Sequence, residues 1–520
     1  MAASPHPPGS YRHLVDENRA RFESFIQNGE LKPVLLWNLL VPFLLPVIAL
    51  LVPHEKGARY FRPLLMACII GLSVDILCHR RMLLGGNGYM GGLIPAWGCI
   101  WSATLLIFRN VDRDFQRIEC RSLPPATAGP NGDAALNGHA RKTRCKDTTL
   151  QRSETLIWQP YPQTLTHRLN WVLGLVANMR GPEWNWRISS LGALPPSVQS
   201  QLNHKHNTKD NANPEINNMW FRLRAVFSTW LKSYLLLDLI KLLMIRDQYF
   251  MGAVYPTPDP PFPFHHLTPY PALVHVYRCL ITGTGVLAAL QYVCSFNPLL
   301  FGGLSLAFPN AARTLTSAPL SAAWLYPPTF GPFLTSILDD SLAGCWSQWW
   351  HQLFRFGFTS TAHWLLSFIP SRLSNTRTIR RSLTVLVAFA LSGFVHASGS
   401  YVQYRDTIPI TGAFRFFMLQ AVGVLIQEII SPSWSRLPKS MRRICNAVFA
   451  LGWLLLTGGF IMEDFSMGGL WLTEPLPVSV FRGLGIGVLP TDMGWWWWGG
   501  TWFGSWDGGE GFWDRGVRVY

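Results

Sequence analysis

The feature that most constrains this chain is a succession of apolar runs about as long as a bilayer is thick. A helix needs roughly 20 mostly apolar residues to cross the hydrocarbon core. Runs of that kind cover 31–52, 61–78 and 92–108, then 221–244, 271–294 and a shorter 298–308. A stretch at 324–338 follows, and three clear runs at 383–402, 413–430 and 444–462 complete the set. In lipid the backbone amides must be satisfied within each segment, which favours helices. Charge content agrees: 14% of the 520 residues are Asp, Glu, Lys or Arg, against about 25% in a soluble domain. Soluble domains need a charged surface and disordered chains need low hydrophobicity. Neither describes a chain that is 49% hydrophobic with 24 Trp. The expected fold is all-α, a polytopic membrane protein with about eight or nine transmembrane helices.

The runs divide the chain. Residues 1–30 are polar and lack a signal-peptide-like apolar run, so insertion is expected to rely on the first span. Three spans fill 31–108, with Pro42 and Pro46 tolerable in the first because neighbouring helices can satisfy the freed carbonyls. Residues 109–219 form a polar insert containing a Gly/Ala/Asn/Pro-rich linker at 123–140. Within it, Trp171 to Trp186 is too short to span. It is expected to lie at the interface, with Trp at both ends and Arg180 reaching headgroups. Residues 220–490 are the membrane core, whose first run carries Arg222, Arg224, Lys232, Asp238 and Lys241, and 491–520 form a Trp/Gly-rich interfacial tail. Basic loops occur between most pairs of spans, so the positive-inside rule assigns no orientation.

Several function classes drop out. The net charge of +15 calls for an anionic partner. Lipid headgroups fit better than nucleic acid, because zinc-finger spacing and RNA-binding aromatic signatures are missing. Nine cysteines contain no C-x-x-C pair and sit mostly in or beside apolar runs, which argues against a disulfide scaffold and against a metal site. The one G-x-G-x-x-G, Gly86 to Gly91, lies between two spans with no strand before it and reads as a flexible turn. Asp75 and Asp238 could form a proton relay, or pair with nearby Arg and Lys. Asp339 and Asp340 could act through a helix dipole, though capping is favoured. His265, His266, His204 and His206 read as solvated loop residues.

Two histidines carry more. Around His351, helical spacing puts Trp346, Trp349, Trp350, Leu353 and Phe354 on one stripe and Ser347, Gln348, His351 and Arg355 on the opposite face. Such a polar face turns either to a water-filled cavity or to bulk water at the interface, and spacing alone leaves both open. His396 lies inside an otherwise uncharged span, with Ser392 and Ser400 four residues to either side on its face. An ionisable residue at that depth marks a functional site by default; the plainer reading is a neutral histidine bonded to another helix.

The segment SLAGCWSQWWHQLFR (Ser341 to Arg355), followed by LSGFVHASG (Leu391 to Gly399), resembles the membrane-bound O-acyltransferase superfamily, in particular its fungal wax-synthase-like branch. Trp346, Trp350, His351, Gln352 and Arg355 match that branch's FWGRRWHQ-x-x-R motif. Cys345, Ser347, Gln348 and Trp349 depart from it, and both central arginines are lost. WVLGLVANMRGPEWNW and Thr473 to Ser479 are also similar to that branch. The resemblance implies spans arranged around an intramembrane reaction chamber. It implies acyl transfer from an acyl-CoA, expected to be acetyl-CoA, to a hydroxyl of a hydrophobic acceptor of terpenoid type, in the endoplasmic reticulum. His396 maps to the family's intramembrane histidine and is expected to be the base. His351 is expected to orient substrate or steady the oxyanion, with Trp350, Gln352, Arg355, Ser392 and Ser400 as substrate or acyl-CoA contacts. No resident cofactor and no metal is expected. Wax-ester synthesis on fatty alcohols is the alternative activity, and a proton-coupled transporter using Asp75, Asp238 and His396 the alternative class, which an absence of internal repeats disfavours.

Overall fold

The apolar runs become helices wherever proline and charge permit. The structure, a computed structural model, describes residues 9–54, 60–122, 154–203, 218–370, 376–434, 436–487, 489–509 and 511–520; the expected linker at 123–140 and the His204/His206 pair lie outside them. Labelled in chain order, the principal helices begin with α1 (Tyr11–Gln27), α2 (Leu36–Leu51), α3 (Phe61–His79) and α4 (Tyr89–Ala103). Next come α5 (Leu165–Val176), α6 (Met219–Arg246), α7 (Pro271–Asn297), α8 (Phe333–Gly344) and α9 (Arg355–Leu366). The last three are α10 (Arg377–Val402), α11 (Arg415–Trp434) and α12 (Lys439–Met467). Among the described residues three two-stranded sheets interrupt the helices.

Among the described residues six helices are long and apolar enough to cross a membrane: Phe61–His79, Tyr89–Phe108, Pro271–Ala307, Arg377–Val402, Ile410–Trp434 and Lys439–Met467. The chain is a multi-pass membrane protein, with fewer qualifying spans than the eight or nine expected. Four of the ten apolar runs yield no span of their own, three of them for a local reason. The first run yields a 16-residue helix, because Leu35 is extended and Asn38 Oδ1 accepts the Leu35 N–H at 2.8 Å, fixing the start late. The runs at 271–294 and 298–308 fuse, since a π turn at Pro298–Gly302 absorbs the proline without ending the helix. The stretch at 324–338 breaks at Pro327, Pro328 and Pro332, and α8 begins only at Phe333. Charged α6, 28 residues long, packs along α7.

The segment expected at the interface packs its aromatic side chains against the protein. Trp171 and Trp184 are fully buried, with ring centroids 4.7 Å apart, in the cluster that also holds Ala96, Trp97 and Trp101 of α4. Arg180 bonds the carbonyls of Pro328 and Pro327 at 2.6 and 3.1 Å instead of reaching headgroups. Burying an indole of this size stabilises a fold by about 3 kcal/mol, which an aromatic segment gains more fully in a core than at a surface. Strands β1 (Arg117–Ser122) and β2 (Glu154–Gln159) pair antiparallel beside it, Arg117 opposite Gln159.

The carboxylates in or near spans are engaged locally. Asp75 pairs with Arg80 at 2.6 Å. Asp238 accepts the Ser479 hydroxyl and the Val480 and Phe481 N–H groups. Asp339, expected to cap, instead pairs with Arg443. The tail forms a hairpin of β3 (Phe503–Trp506) and β4 (Gly516–Val519). Arg518 bonds Glu23 of α1 through both carboxylate oxygens at 2.8 Å, tying the two ends of the chain together.

Candidate active site

The site is built where α4 and α10 approach each other more closely than side chains allow. A Cβ added at Gly92 of α4 would lie 1.9 Å from the Ser398 carbonyl oxygen of α10, and one at Gly399 would meet the Tyr89 ring at 2.9 Å. Small residues let the backbones touch, as in other membrane helix pairs. Tyr89 opens α4 directly after Gly88, whose φ of +89° a side chain would rarely adopt. The Gly86–Gly91 segment, expected to be a flexible turn, is pinned instead. Asn87 Nδ2 donates to Gly468 O at 2.8 Å, Asn87 N–H to Thr473 Oγ1 at 2.7 Å, and Gln403 Nε2 to Gly86 O at 3.1 Å.

His396 lies on α10 facing this contact. Its Nδ1 is 2.8 Å from the Tyr89 hydroxyl, and its ring stacks on Phe417 with centroids 4.6 Å apart and planes 18° from parallel. Among the described residues nothing hydrogen-bonds Nε2. The His396 side chain is of intermediate exposure, most of its surface covered by the protein.

His351 comes from a broken element rather than from the continuous helix that spacing predicts. Residues Cys345–Trp349 wind as a π turn, Trp350 is extended (φ −62°, ψ 147°), and helix resumes at Arg355. The break frees carbonyls that side chains then satisfy. Gln352 Nε2 donates to Trp346 O at 2.8 Å and Trp350 O at 2.6 Å; Arg355 Nη1 donates to Ser347 O at 2.8 Å and to Gln352 Oε1 at 3.1 Å. Both side chains therefore hold the loop that presents His351. Inside the molecule, His351 Nδ1 is enclosed with no partner. Burial, with smaller effects from His396 and Arg180, pushes its pKa down to about 3, so the imidazole is neutral at physiological pH.

A continuous aromatic wall joins the two histidines. From His396 it runs through Phe417 to Trp346 (6.0 Å), Trp350 (5.9 Å) and His351 (5.5 Å). A second route runs from His351 to Phe354 (5.7 Å) and on to Trp97 of α4 (4.4 Å), the helix that also carries Tyr89. Ring-to-ring contacts thus link His351, Trp350 and His396. Ser392 makes no hydrogen bond among the described residues, and Ser400, fully buried, donates to Asp464 Oδ1 at 2.7 Å.

Sequence reasoning missed Tyr89, Phe417 and Asp464. Only the glycine-rich turn ahead of Tyr89 hinted at a special backbone there. Cys345, beside the motif, is enclosed, and burial pushes its thiol up to about 12, a poor nucleophile at neutral pH. A polar cavity of about 310 Å³ opens alongside the motif, bounded by Asp340, Ser347, Gln348, Arg381, Trp434 and Arg442. Among the described residues no three His, Cys, Asp or Glu side chains gather as metal ligands.

Residues 326–419 match the profile of the membrane bound O-acyl transferase family. Over 274 residues the chain is 27% identical to an O-mevalon transferase of Aspergillus niger, a match covering 51% of this chain and 53% of that protein. It is 25% identical over 186 residues to an acetyltransferase of Hericium erinaceus, covering 36% and 48%. A match of 22% over 303 residues to an O-mevalon transferase of Penicillium terrestre covers 55% and 60%. The matched region spans about half the length of these curated relatives. No solved structure matches the chain. Both histidine motifs lie within the 326–419 segment that matches the family profile, in keeping with the resemblance drawn from them.

Proposed function

We propose that this chain, whose core is that of a membrane-bound O-acyltransferase, transfers a short acyl group from acyl-CoA to a hydroxyl of a hydrophobic acceptor. The observation that carries the reading is His396, largely enclosed, held at Nδ1 by Tyr89, uncommitted at Nε2, and linked to His351 through a run of aromatic rings. An alcohol attacks a thioester slowly until its proton is removed. Nε2 of His396 takes that proton as the oxygen bonds the carbonyl carbon; the C–S bond then breaks and the imidazolium returns the proton to the departing CoA thiolate. His351, neutral, keeps one N–H to offer the developing oxyanion.

Transfer is direct, in a ternary complex: the protonated, enclosed Cys345 thiol supports no acyl-enzyme. The polar head of CoA occupies the cavity beside Gln348, where Arg381 and Arg442 meet its phosphates, and the acceptor arrives from the bilayer. Relatives named as acetyltransferases and O-mevalon transferases support a small transferred group, and a terpenoid-type acceptor in the endoplasmic reticulum accords with the sequence resemblance. Membranes containing the full chain, given labelled acetyl-CoA and a panel of hydrophobic alcohols, should form esters. His396→Ala, at equal protein level, should lower the rate by about 10³-fold. Ester formation that survives this substitution refutes the base assignment.

A further inference from the structure

We propose that Tyr89 is a positioning residue for His396: its phenol oxygen accepts the Nδ1–H and so leaves the Nε2 lone pair facing the acceptor hydroxyl. The proposal rests on the acyl-transfer reading and deepens it. Three observations carry it.

The first is the contact itself, 2.8 Å between the Tyr89 hydroxyl and His396 Nδ1. The second is the care with which the ring is seated. Gly399, three residues after His396, leaves room for the phenol on that side, since a Cβ there would meet three ring atoms at 2.9–3.0 Å. Phe465 of α12 packs edge-on at 5.3 Å, and Tyr89 is only 3% exposed. A ring so confined holds its hydroxyl at one place.

The third is Asp464. Its Oδ1 accepts the Ser400 hydroxyl at 2.7 Å and the Ile408 N–H at 2.9 Å, while Oδ2 is enclosed without a partner. These bonds fasten α10 to α12 one turn beyond His396. For Nε2 to act as base, the neutral imidazole must hold its hydrogen on Nδ1, and the Tyr89 oxygen at 2.8 Å is the acceptor for it. In the opposite tautomer Nε2 would already hold a proton and could not act as base. After proton transfer the same oxygen lone pair faces the imidazolium and stabilises it. Ser400, four residues after His396, thus holds the turn of α10 that carries the base through its bond to Asp464.

The test uses the full-length chain in membranes with two acceptors of one skeleton, an ordinary alcohol and a fluorinated, more acidic analogue. Tyr89→Phe keeps the ring and removes the hydroxyl. It should lower kcat about 10- to 100-fold with the ordinary alcohol, leave both KM values within about two-fold, and lose less than about three-fold with the acidic analogue, which depends less on the base. Gly399→Ala, which displaces the ring without altering its chemistry, should reproduce this split. Unchanged kcat, or equal losses with both acceptors, overturns the proposal while active wild type and silent His396→Ala leave the acyl-transfer reading standing. A wild-type chain that forms no ester with any donor overturns that reading and this one with it.

Discussion

Gly92→Ala should separate the two helices on which the site depends. The added Cβ would lie 1.9 Å from the Ser398 oxygen, 2.5 Å from its carbonyl carbon and 2.9 Å from Val402 Cγ2. A carbon and a carbonyl oxygen rest at about 3.3 Å or more, so α4 and α10 must part by more than ~1 Å along that line. The obstacle is backbone, and no rotamer change relieves it. Overpacking of this kind costs about 1–3 kcal/mol. Tyr89 lies less than one turn from Gly92, and an added ångström takes its 2.8 Å bond to His396 beyond hydrogen-bonding range. Gly98 of the same helix supplies the control, because its Cβ would meet nothing within 4 Å. Gly98→Ala should be neutral or gain about 0.5–1 kcal/mol from helix propensity. Thermal unfolding in detergent and ester formation in membranes read both variants. Gly92→Ala should unfold at lower temperature and lose at least ten-fold in activity, with Gly98→Ala unaffected. Equal stability and activity in the two would refute the account of the helix contact.

Three further outcomes follow from the site. Gln352→Ala leaves the Trp346 and Trp350 carbonyls unbonded, at about 1–3 kcal/mol each; a lowered melting temperature should accompany its loss of activity, whereas lost kcat at unchanged stability would mean that Gln352 contacts substrate. His351 is held at a pKa of about 3 when folded, against about 6.5 unfolded. Below pH 6.5 the unfolded chain gains a proton the folded one refuses, so its stabilising contribution is whole above 6.5 and falls away toward pH 3. The melting-temperature difference between wild type and His351→Asn should therefore shrink from pH 7 to pH 4.5, and a constant difference would contradict the burial. Cys345→Ala should retain activity within a few-fold; its abolition, with the protein still folded, would point to a covalent acyl-enzyme.

Much of the architecture is local and so was readable. The runs at 61–78, 92–108, 383–402, 413–430 and 444–462 all became helices within a few residues of their expected ends, because uninterrupted apolar residues in lipid have no better way to satisfy their amides. The errors came where neighbours intervene. Pro298 was absorbed by a π turn, while Pro327, Pro328 and Pro332 ended a run. Trp171 and Trp184, in the segment expected at the interface, pack in one buried cluster with residues of α2 and α4, contacts that lie far away in sequence.

The chemistry divides along the same line. By itself the sequence determined that this is a helical membrane protein, and that His351 and His396 sit in a segment similar to one acyltransferase family, since those depend on contiguous residues. Only the tertiary structure decided what each histidine touches. Tyr89 is 307 positions from His396, and Gln352 and Arg355 turned out to brace the loop they belong to. Hydrogen bonds reach about 3 Å and depend on direction. Whether a phenol meets an imidazole is therefore settled by how closely two glycine-bearing helices pack, a distance that spacing along one chain does not encode.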